Sequence, residues 1–284
     1  MGKNTKEYFE KKGYDIYAPT SIQLNCLDEE AVRRHLADKY YDYIFHFAIY
    51  GDGTDKTKDG NKILEYNLRI FWNFARCSFL YGRMIYTGSG AEYDKRYPIE
   101  MLSEEDLEGR STPTDQYGLM KYIVGSAIEN SQNIYNLRLF GVFGKYEDWK
   151  TKYISNLCCK SIKGLPLSMR KNCYFDYLWI DDFCDMLEKF ILMENPQFHT
   201  YNAVSGQRID LLTLANIVNE IAGSRSDIIV CNEGLANEYT AVNRRMREEF
   251  PNLKYTDIRD SIKQLYSWYQ SIEEEIDIYS LIYG

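Results

Sequence analysis

Met84-Ile85-Tyr86-Thr87-Gly88-Ser89-Gly90-Ala91-Glu92-Tyr93 forms a short pattern of strand and turn. Its apolar start is typical of a buried strand, and its glycines predict that the strand ends in a turn. A turn at the end of a strand can present a side chain at the edge of a sheet. The hydroxyl of Ser89 is therefore the first candidate for a functional group.

The sequence of residues 115–121, Asp-Gln-Tyr-Gly-Leu-Met-Lys, predicts the first turns of a helix, and Pro113 suits an N-terminal position. Residues four apart share one face of a helix, so the Tyr117 phenol and the Lys121 ammonium can point into one cleft. A phenol titrates near ~10, but a nearby cation favours the phenolate and lowers its pKa. Such a pair can exchange a proton with an alcohol or sugar hydroxyl, which Ser89 would orient.

The Tyr-x-x-x-Lys spacing is weak by itself because it also occurs at Tyr8/Lys12 and Tyr146/Lys150. On spacing alone, an exposed helix face is the better interpretation of any such pair. Context separates the pair in 115–121 from the others. It follows a strand and a glycine turn, and apolar strands lie on both sides of it in the sequence.

The composition excludes several classes of protein. A net charge of −8 argues against nucleic-acid binding, which needs a basic face. No apolar run approaches the ~20 residues that cross a bilayer, and the pattern of the first residues does not predict a signal peptide. The seven cysteines form no C-x-x-C pair and the three histidines lie far apart, which predicts reduced thiols in the cytoplasm and no metal site.

Strands and helices alternate along the first half of the chain. The pattern predicts helices at 3–12, 28–38 and 61–77, strands at 14–18, 43–48 and 134–139, and later helices at 181–193, 210–222 and 257–270. Alternation of this kind indicates a parallel α/β sheet with right-handed crossovers. Two side-chain positions follow from the same pattern: His46 is predicted to pack in the core, and Glu92 to lie at the surface.

Together these motifs resemble the extended short-chain dehydrogenase/reductases, the NAD-dependent epimerase/dehydratase family that acts on nucleotide sugars. The Ser…Tyr-x-x-x-Lys triad of that family matches Ser89, Tyr117 and Lys121. Residues 175–182 resemble its Arg-Asp-Phe-x-x-Val-Asp-Asp block, and residues 201–206 resemble its Tyr-Asn-x-x-x-Gly. The resemblance covers essentially the whole chain in order.

The resemblance implies a Rossmann-type doubly wound parallel α/β sheet that lacks its first strand, with a small C-terminal substrate lobe. It assigns residues 1–145 and 174–204 to an NAD(P)-binding domain, and residues 146–173 and 205–284 to the substrate lobe. It further implies a cytoplasmic enzyme with a nucleotide-sugar substrate and no nucleic-acid or membrane partner. A homodimer is one assembly open to such an enzyme.

The start of the chain departs from the family. The family opens with a strand and Gly-x-x-Gly-x-x-Gly, whose glycines let the backbone approach a pyrophosphate at a helix N-terminus. Gly2 matches the last of these glycines, and the strand and the first two glycines have no counterpart. Two interpretations stay open: the sequence is a fragment or begins at a wrongly chosen start, or the protein is naturally this short and binds cofactor poorly or not at all. For the chain as it stands, we expect marginal folding or direct pairing of the two strands that flank the gap.

The resemblance also assigns ligand-binding residues. The predicted cofactor-binding residues are Gly2, Thr20, Asn25, Cys26, Phe47, Ala48, Asn67, Tyr117, Lys121 and Phe140. The predicted substrate-binding residues are Ser89, Gly90 and Tyr117. For Thr20 and Asn25 a simple role in turns is the plainer interpretation. The predicted strand at 14–18 leads into neither the carboxylate that favours NAD nor the base that favours NADP, so the choice stays open with a lean to NADP.

The predicted chemistry is hydride transfer at a sugar carbon, in an epimerase or a 4-ketosugar reductase that needs only the triad and the cofactor. The run Leu24–Asp28 resembles GDP-L-fucose synthase and the dTDP-4-dehydrorhamnose reductases. Fucose synthase epimerises through a Cys two residues after its Ser, where this chain has Ala91, and its partner His falls near Lys152. Double epimerisation by that mechanism is therefore not expected. The alternative is a non-catalytic scaffold or sensor on the same fold, which the incomplete glycine loop favours.

Overall fold

A computed structural model describes residues 1–51, 57–223 and 225–283. Within that part the helices are α1 (Gly2–Lys11), α2 (Glu29–Asp38), α3 (Ile63–Ala75), α4 (Gln116–Ile128), α5 (Tyr153–Ile162), α6 (Ile180–Leu192), α7 (Leu211–Ala222), α8 (Arg244–Glu249), α9 (Ile258–Ser271) and α10 (Ile278–Tyr283). The strands are β1 (Tyr41–His46), β2 (Tyr81–Ser89), β3 (Ile99–Leu102), β4 (Ile134–Leu139), β5 (Gly141–Phe143), β6 (Leu167–Asn172), β7 (Tyr174–Phe175), β8 (Tyr177–Trp179), β9 (Thr200–Ala203), β10 (Ile209–Asp210), β11 (Ile228–Leu235) and β12 (Tyr239–Ala241).

The central sheet has four parallel strands in the order β1-β2-β4-β9. Helices α3 and α4 cover one face, where Phe71, Phe74 and Val124 join the core. Helices α1 and α6 cover the other face through Phe9 and Phe183. This arrangement confirms the predicted doubly wound parallel sheet. It also brings the carboxyl ends of the strands to one edge, where proteins of this architecture bind ligands.

The helix boundaries follow local sequence signals. Asp28 caps α2 by accepting a hydrogen bond from the Ala31 N–H, as its position in the sequence predicts. Asp210 caps α7 in the same way, and Gly223 ends that helix in the left-handed conformation at φ 65°. The three helices predicted in the C-terminal part are α6, α7 and α9, and their bounds agree with the prediction within one residue.

The prediction of a strand at 14–18 is wrong. In the described part of the chain, β1 pairs with β2 alone and residues 14–18 join no sheet. A strand forms when a neighbour takes up its N–H and C=O groups, and no described segment pairs with this one. Tyr14 and Ile16 pack against the core instead, and the ring of Tyr17 stacks on His35. Direct pairing of the two strands that flank the gap, the second expectation for a short chain, is therefore also wrong.

Much of the chain after β5 builds smaller sheets and a layer of helices. One sheet has the order β10-β7-β12-β3, and β11 pairs in parallel with β6. Helices α5, α7 and α9 pack on one another through buried residues such as Leu157, Leu214 and Leu265. The sheet that contains β12 carries Tyr239 to the end of β2. None of the described helices has the length and apolarity needed to cross a membrane.

Candidate active site

The end of β2 holds Ser89 in a tight turn. Strand β2 stops at this residue, and residues 90–93 form a short 3-10 helix. The Ser89 Oγ accepts a hydrogen bond from the Ala91 N–H at 3.1 Å, and the Glu92 carboxylate accepts one from the Ser89 N–H at 3.1 Å. This reciprocal capping box fixes both the backbone and the hydroxyl of Ser89. The strand end predicted from the glycines is therefore confirmed, and its serine is only 6% exposed.

The N-terminus of α4 packs directly against that turn. Asp115 caps the helix by accepting a hydrogen bond from the Gly118 N–H at 2.8 Å. A Cβ at Gly118 would lie 3.1 Å from the carbonyl oxygen of Ala91, so glycine permits the close approach of helix and turn. The first turn of α4 also carries Tyr117, which is half-buried. The sequence therefore brings this phenol to the end of β2.

Lys121 is buried below Tyr117, one turn further along α4. Its Nζ donates hydrogen bonds to the Tyr86 hydroxyl at 3.0 Å and to the Thr87 carbonyl at 2.5 Å, and it lies 5.6 Å from the centroid of the Tyr117 ring. Burial lowers the pKa of Lys121 to about 8, and the negative charge of Glu92 partly opposes that effect. The side chain therefore still carries its proton at neutral pH.

These side chains share one large cleft at the carboxyl edge of the sheet. The cleft has a volume of about 520 Å³ and lies beside the segments that follow β1, β2 and β4. Six of the residues predicted from the sequence line it: Phe47, Ala48, Ser89, Tyr117, Lys121 and Phe140. The three members of the predicted triad, which come from β2 and α4, thus line the same space.

Positive charges beside the cleft can hold the diphosphate of a dinucleotide. Helix α1 begins at Gly2 beside the cleft, and Met1 and Asn4 line it. The N-terminus of a ten-residue helix presents free N–H groups and a positive dipole end, which suit a diphosphate. Lys58 and Lys145 add two ammonium groups to the lining. The residues present therefore fit a nicotinamide dinucleotide.

Six predicted ligand-binding residues do not line this cleft. Thr20 and Asn25 accept hydrogen bonds within their own turns, from the N–H groups of Gln23 at 3.4 Å and Leu27 at 3.1 Å. The carbonyl of Cys26 accepts a hydrogen bond from the Asn73 amide at 2.8 Å. A role of these residues in binding adenine stays a prediction.

Two of the remaining three, Asn67 and Gly90, lie directly behind the cleft. Asn67 supports its wall, since it accepts a hydrogen bond from the Tyr50 N–H at 2.8 Å and donates one to the Gly51 carbonyl at 3.2 Å. Gly90 packs below Phe140, and a Cβ there would come 2.6 Å from that ring. Gly2 is also absent from the lining, but a Cβ on it would touch the Phe47 ring at 3.7 Å. Contacts of Asn67, Gly90 and Gly2 with ligands stay predictions.

The prediction that Glu92 lies at the surface is wrong, because its side chain is fully buried. The turn after Ser89 folds Glu92 back beneath β2, where it forms an ion pair with Arg138 of β4 at 2.6 Å. A buried partner of opposite charge makes that position tolerable. The Ser-x-x-Glu spacing of a capping box was the signal in the sequence that could have found it. His46, by contrast, is buried among aromatic rings as predicted.

Two further side chains border the site and were not found from the sequence. The hydroxyl of Tyr239 lies 3.4 Å from the Ser89 Oγ, although 150 residues separate them. Glu147 lines the cleft, and burial raises its pKa to about 7, although a hydrogen bond from Ser155 opposes the shift. Neither position belongs to a local motif, so only the fold reveals them. In the described residues, no group of three His, Cys, Asp or Glu side chains could hold a metal ion.

A doubly wound parallel sheet with a polar cleft and a helix N-terminus at its carboxyl edge defines a dinucleotide-fold protein. Residues 1–203 match the model of the NAD dependent epimerase/dehydratase family, and the chain belongs to that family. The family resemblance drawn from the sequence is therefore confirmed. No curated protein matches the chain in a sequence search.

Solved structures agree with this assignment. A GDP-mannoheptose C4 reductase from Campylobacter jejuni with NADP bound has a TM-score of 0.79 at 17% identity, over 95% of each chain. A GDP-L-fucose synthetase from Naegleria fowleri bound to NADP has a TM-score of 0.79 at 14% identity, over 96% of this chain and 90% of that one. A UDP-glucose 4-epimerase from Thermotoga maritima has a TM-score of 0.73 at 15% identity, over 87% and 83%. At such identities these likenesses show the fold alone.

Proposed function

We propose that this protein is an NAD(P)-dependent nucleotide-sugar epimerase or 4-ketosugar reductase. The observation that carries the proposal is the common cleft lined by Ser89, Tyr117 and Lys121. Family membership and the activities named for the similar structures support the same class of substrate. Ala91 stands two residues after Ser89, which disfavours double epimerisation of the kind fucose synthase performs.

Each member of the triad has a distinct part in the proposed chemistry. Tyr117 gives a proton to the sugar oxygen, or takes one from it, as the carbon gains or loses a hydride. The Lys121 ammonium favours the phenolate form of Tyr117 by its charge. Ser89 holds the sugar hydroxyl through its Oγ, whose position the Ala91 N–H fixes. The nicotinamide, when bound, would supply the hydride that the carbon gains or accept the hydride that the carbon loses.

The cofactor would lie along the carboxyl edge of the sheet. The N-terminus of α1 and the ammonium groups of Lys58 and Lys145 would hold its phosphates. Phe47 would contact it after β1, and Lys121 would also bind the nicotinamide ribose. The similar reductase and synthetase were solved with NADP, which favours NADP over NAD for this chain too.

The division of the chain into domains belongs to the same proposal. Residues 1–145 and 174–204 would bind the dinucleotide, and residues 146–173 and 205–284 would bind the sugar nucleotide. Tyr239 supports that division, since it belongs to the second part and borders Ser89. A cytoplasmic location and a homodimer stay predictions.

The substitution Tyr117→Phe tests the proposal. The purified protein would be given GDP-, dTDP- and UDP-linked 4-ketosugars and hexoses with NADPH or NADH, and turnover would be followed by nicotinamide absorbance and by separation of the sugars. We expect Tyr117→Phe to lower kcat by about 10²–10⁴-fold without a change in thermal unfolding. Tyr122→Phe, five residues further along the same helix, is the matched control and should keep full activity.

The results of these assays distinguish an enzyme that uses Tyr117 from a non-catalytic sensor. Equal turnover by wild type and Tyr117→Phe would refute the assignment of the phenol. Tryptophan fluorescence quenched by NADPH or NADH, with no turnover of any sugar nucleotide, would identify the non-catalytic sensor instead.

A further inference from the structure

A buried ion pair lies directly behind Ser89. The Glu92 carboxylate is fully buried and the Arg138 guanidinium is 3% exposed. The Arg138 Nε donates a hydrogen bond to the Glu92 Oε2 at 2.6 Å. The other carboxylate oxygen, Oε1, accepts the backbone N–H of Ser89 at 3.1 Å. The Asn136 amide adds a contact of 3.3 Å to each oxygen.

The surrounding sequence leaves room for this pair at two glycines. A Cβ at Gly88 would lie 2.5 Å from the Glu92 Oε1, and a Cβ at Gly125 of α4 would lie 2.6 Å from its Oε2. Two charges removed from water also carry a desolvation penalty that their attraction often fails to recover. Apolar residues of similar size are often neutral or stabilising in place of such a pair. The burial of Glu92 and Arg138 is therefore weak evidence for a role in stability.

The ion pair contacts the turn that holds Ser89 on one side. On the other side, it is connected through Tyr93 to strand β9. On the first side, Glu92 fixes the backbone of Ser89, and the Ala91 N–H then fixes the Oγ at 3.1 Å. On the other side, the Arg138 guanidinium donates to the Tyr93 hydroxyl at 3.1 Å. Tyr93 in turn donates to the Asn202 side chain of β9 at 3.0 Å. The turn that holds Ser89 is thus anchored to two neighbouring strands.

We propose that Glu92 and Arg138 are positioning residues that hold the Ser89 hydroxyl in the orientation the reaction requires. The inference rests on the proposed function of Ser89 in binding the reacting sugar hydroxyl. Neither side chain lines the cleft, so each acts on the substrate only through Ser89. Because the geometry of a reacting group matters more to kcat than to ground-state binding, loss of the pair should affect kcat more than KM.

The test replaces both charges at once. Removing one charge would leave the other buried without a partner, and such a variant could fail to fold. Glu92→Met with Arg138→Met removes both, and the unbranched side chains suit the narrow space beside Gly88 and Gly125. We expect this double variant to fold and to lower kcat by about 10- to 100-fold with KM little changed.

A double-mutant cycle with Ser89→Ala shows whether the effect passes through the serine. In the Ser89→Ala background, the same pair of substitutions should change the residual kcat by less than about twofold. An equal loss in both backgrounds, or an unchanged kcat in the double variant alone, would overturn the inference. Asp182→Asn is the matched control, since it alters another buried carboxylate, which accepts hydrogen bonds from Thr256. It should lower the unfolding temperature and leave kcat unchanged.

A second readout does not depend on activity. Hydrogen exchange of the Ser89 amide should accelerate in the double variant, because that N–H loses its acceptor, while the amide of Met84 in the same strand keeps its partner, the Asn133 carbonyl. Unchanged exchange at Ser89 would overturn the inference even if the wild type turned over no sugar nucleotide. Faster exchange together with an inactive wild type would refute the proposed function and leave the anchoring of Ser89 intact.

Discussion

Residues 84–86 of strand β2 and residues 14–18 have comparable apolar patterns and different structures. Both are short, apolar and rich in tyrosine, and both predict a strand of a parallel sheet. β2 has β1 on one side and β4 on the other, whereas 14–18 pair with no described strand. The comparison shows that an apolar pattern specifies a strand only where a partner is available for its backbone.

The same two regions differ in how they hold charge. At the end of β2, Lys121 and Glu92 are buried and make hydrogen bonds to fixed partners. In the amino-terminal segment, Asp15 and Lys39 form an ion pair whose side chains are 84% and 55% exposed. Charges in the first region should therefore control activity and stability, and those in the second should matter little.

The largest difference in activity should appear between two variants, each of which replaces one lysine of one region by methionine. Lys121→Met removes the ammonium below Tyr117 and should lower kcat/KM by about 100-fold or more. Lys39→Met removes an exposed ammonium and should leave kcat/KM unchanged. Steady-state kinetics of the two variants checks both expectations. Similar kcat/KM values for the two variants would contradict the expectation that the buried lysine controls activity and the exposed lysine does not.

A glycine substitution should give the next largest effect. In Gly88→Ala the new Cβ would lie 2.1 Å from the Asn136 Oδ1 and 2.5 Å from the Glu92 Oε1, so buried groups must move. We expect a loss of about 1–3 kcal/mol in the free energy of unfolding. Gly60→Ala is the matched control, because no atom of the described residues lies within 4 Å of a Cβ there. Urea denaturation of both variants measures the difference, and equal midpoints would contradict the tight packing behind Ser89.

The triad could be predicted because each of its parts has a local cause. Glycines end β2 at Ser89, Asp115 starts α4, and a separation of four residues places Tyr117 and Lys121 on one face. Each of these signals lies within a few residues of the group it positions, and the order of strands in a parallel sheet then brings them together.

The remaining features depend on contacts distant in sequence. The burial of Glu92 requires Arg138, which lies 46 residues away. The place of Tyr239 beside Ser89 depends on how β12 pairs with β3. Whether residues 14–18 form a strand depends on whether another segment of the chain pairs with their backbone. No periodicity within a short window contains that information.

The pH dependence of stability should give a smaller effect, specific to the buried lysine. Lys121 has an ordinary pKa of ~10.4 in an unfolded chain and a pKa lowered to about 8 in the folded protein. Between these values the unfolded state binds more protons, so stability should rise with pH by up to about 1.4 kcal/mol per pH unit. Activity should fall over the same range as the ammonium is lost.

The variant Lys121→Met isolates this contribution from those of other groups. The free energy of unfolding would be measured from pH 7 to 10 for wild type and variant, and the difference between them should grow as pH rises above 8. A constant difference would mean that the lysine titrates normally, and the contrast between buried and exposed charges would then be lost.

The smallest effect should come from Asp15→Ala. The substitution breaks the 2.9 Å ion pair with Lys39, but both groups stay largely in water, where the attraction is weak and screened by salt. The amino-terminal segment also lacks a strand ladder that the carboxylate could support. We therefore expect the midpoint of thermal unfolding to move by less than about 1 °C at 0.15 M salt. A clear loss of stability would show that residues 14–18 are held more firmly than their unpaired backbone indicates, and the distinction between the two regions would need revision.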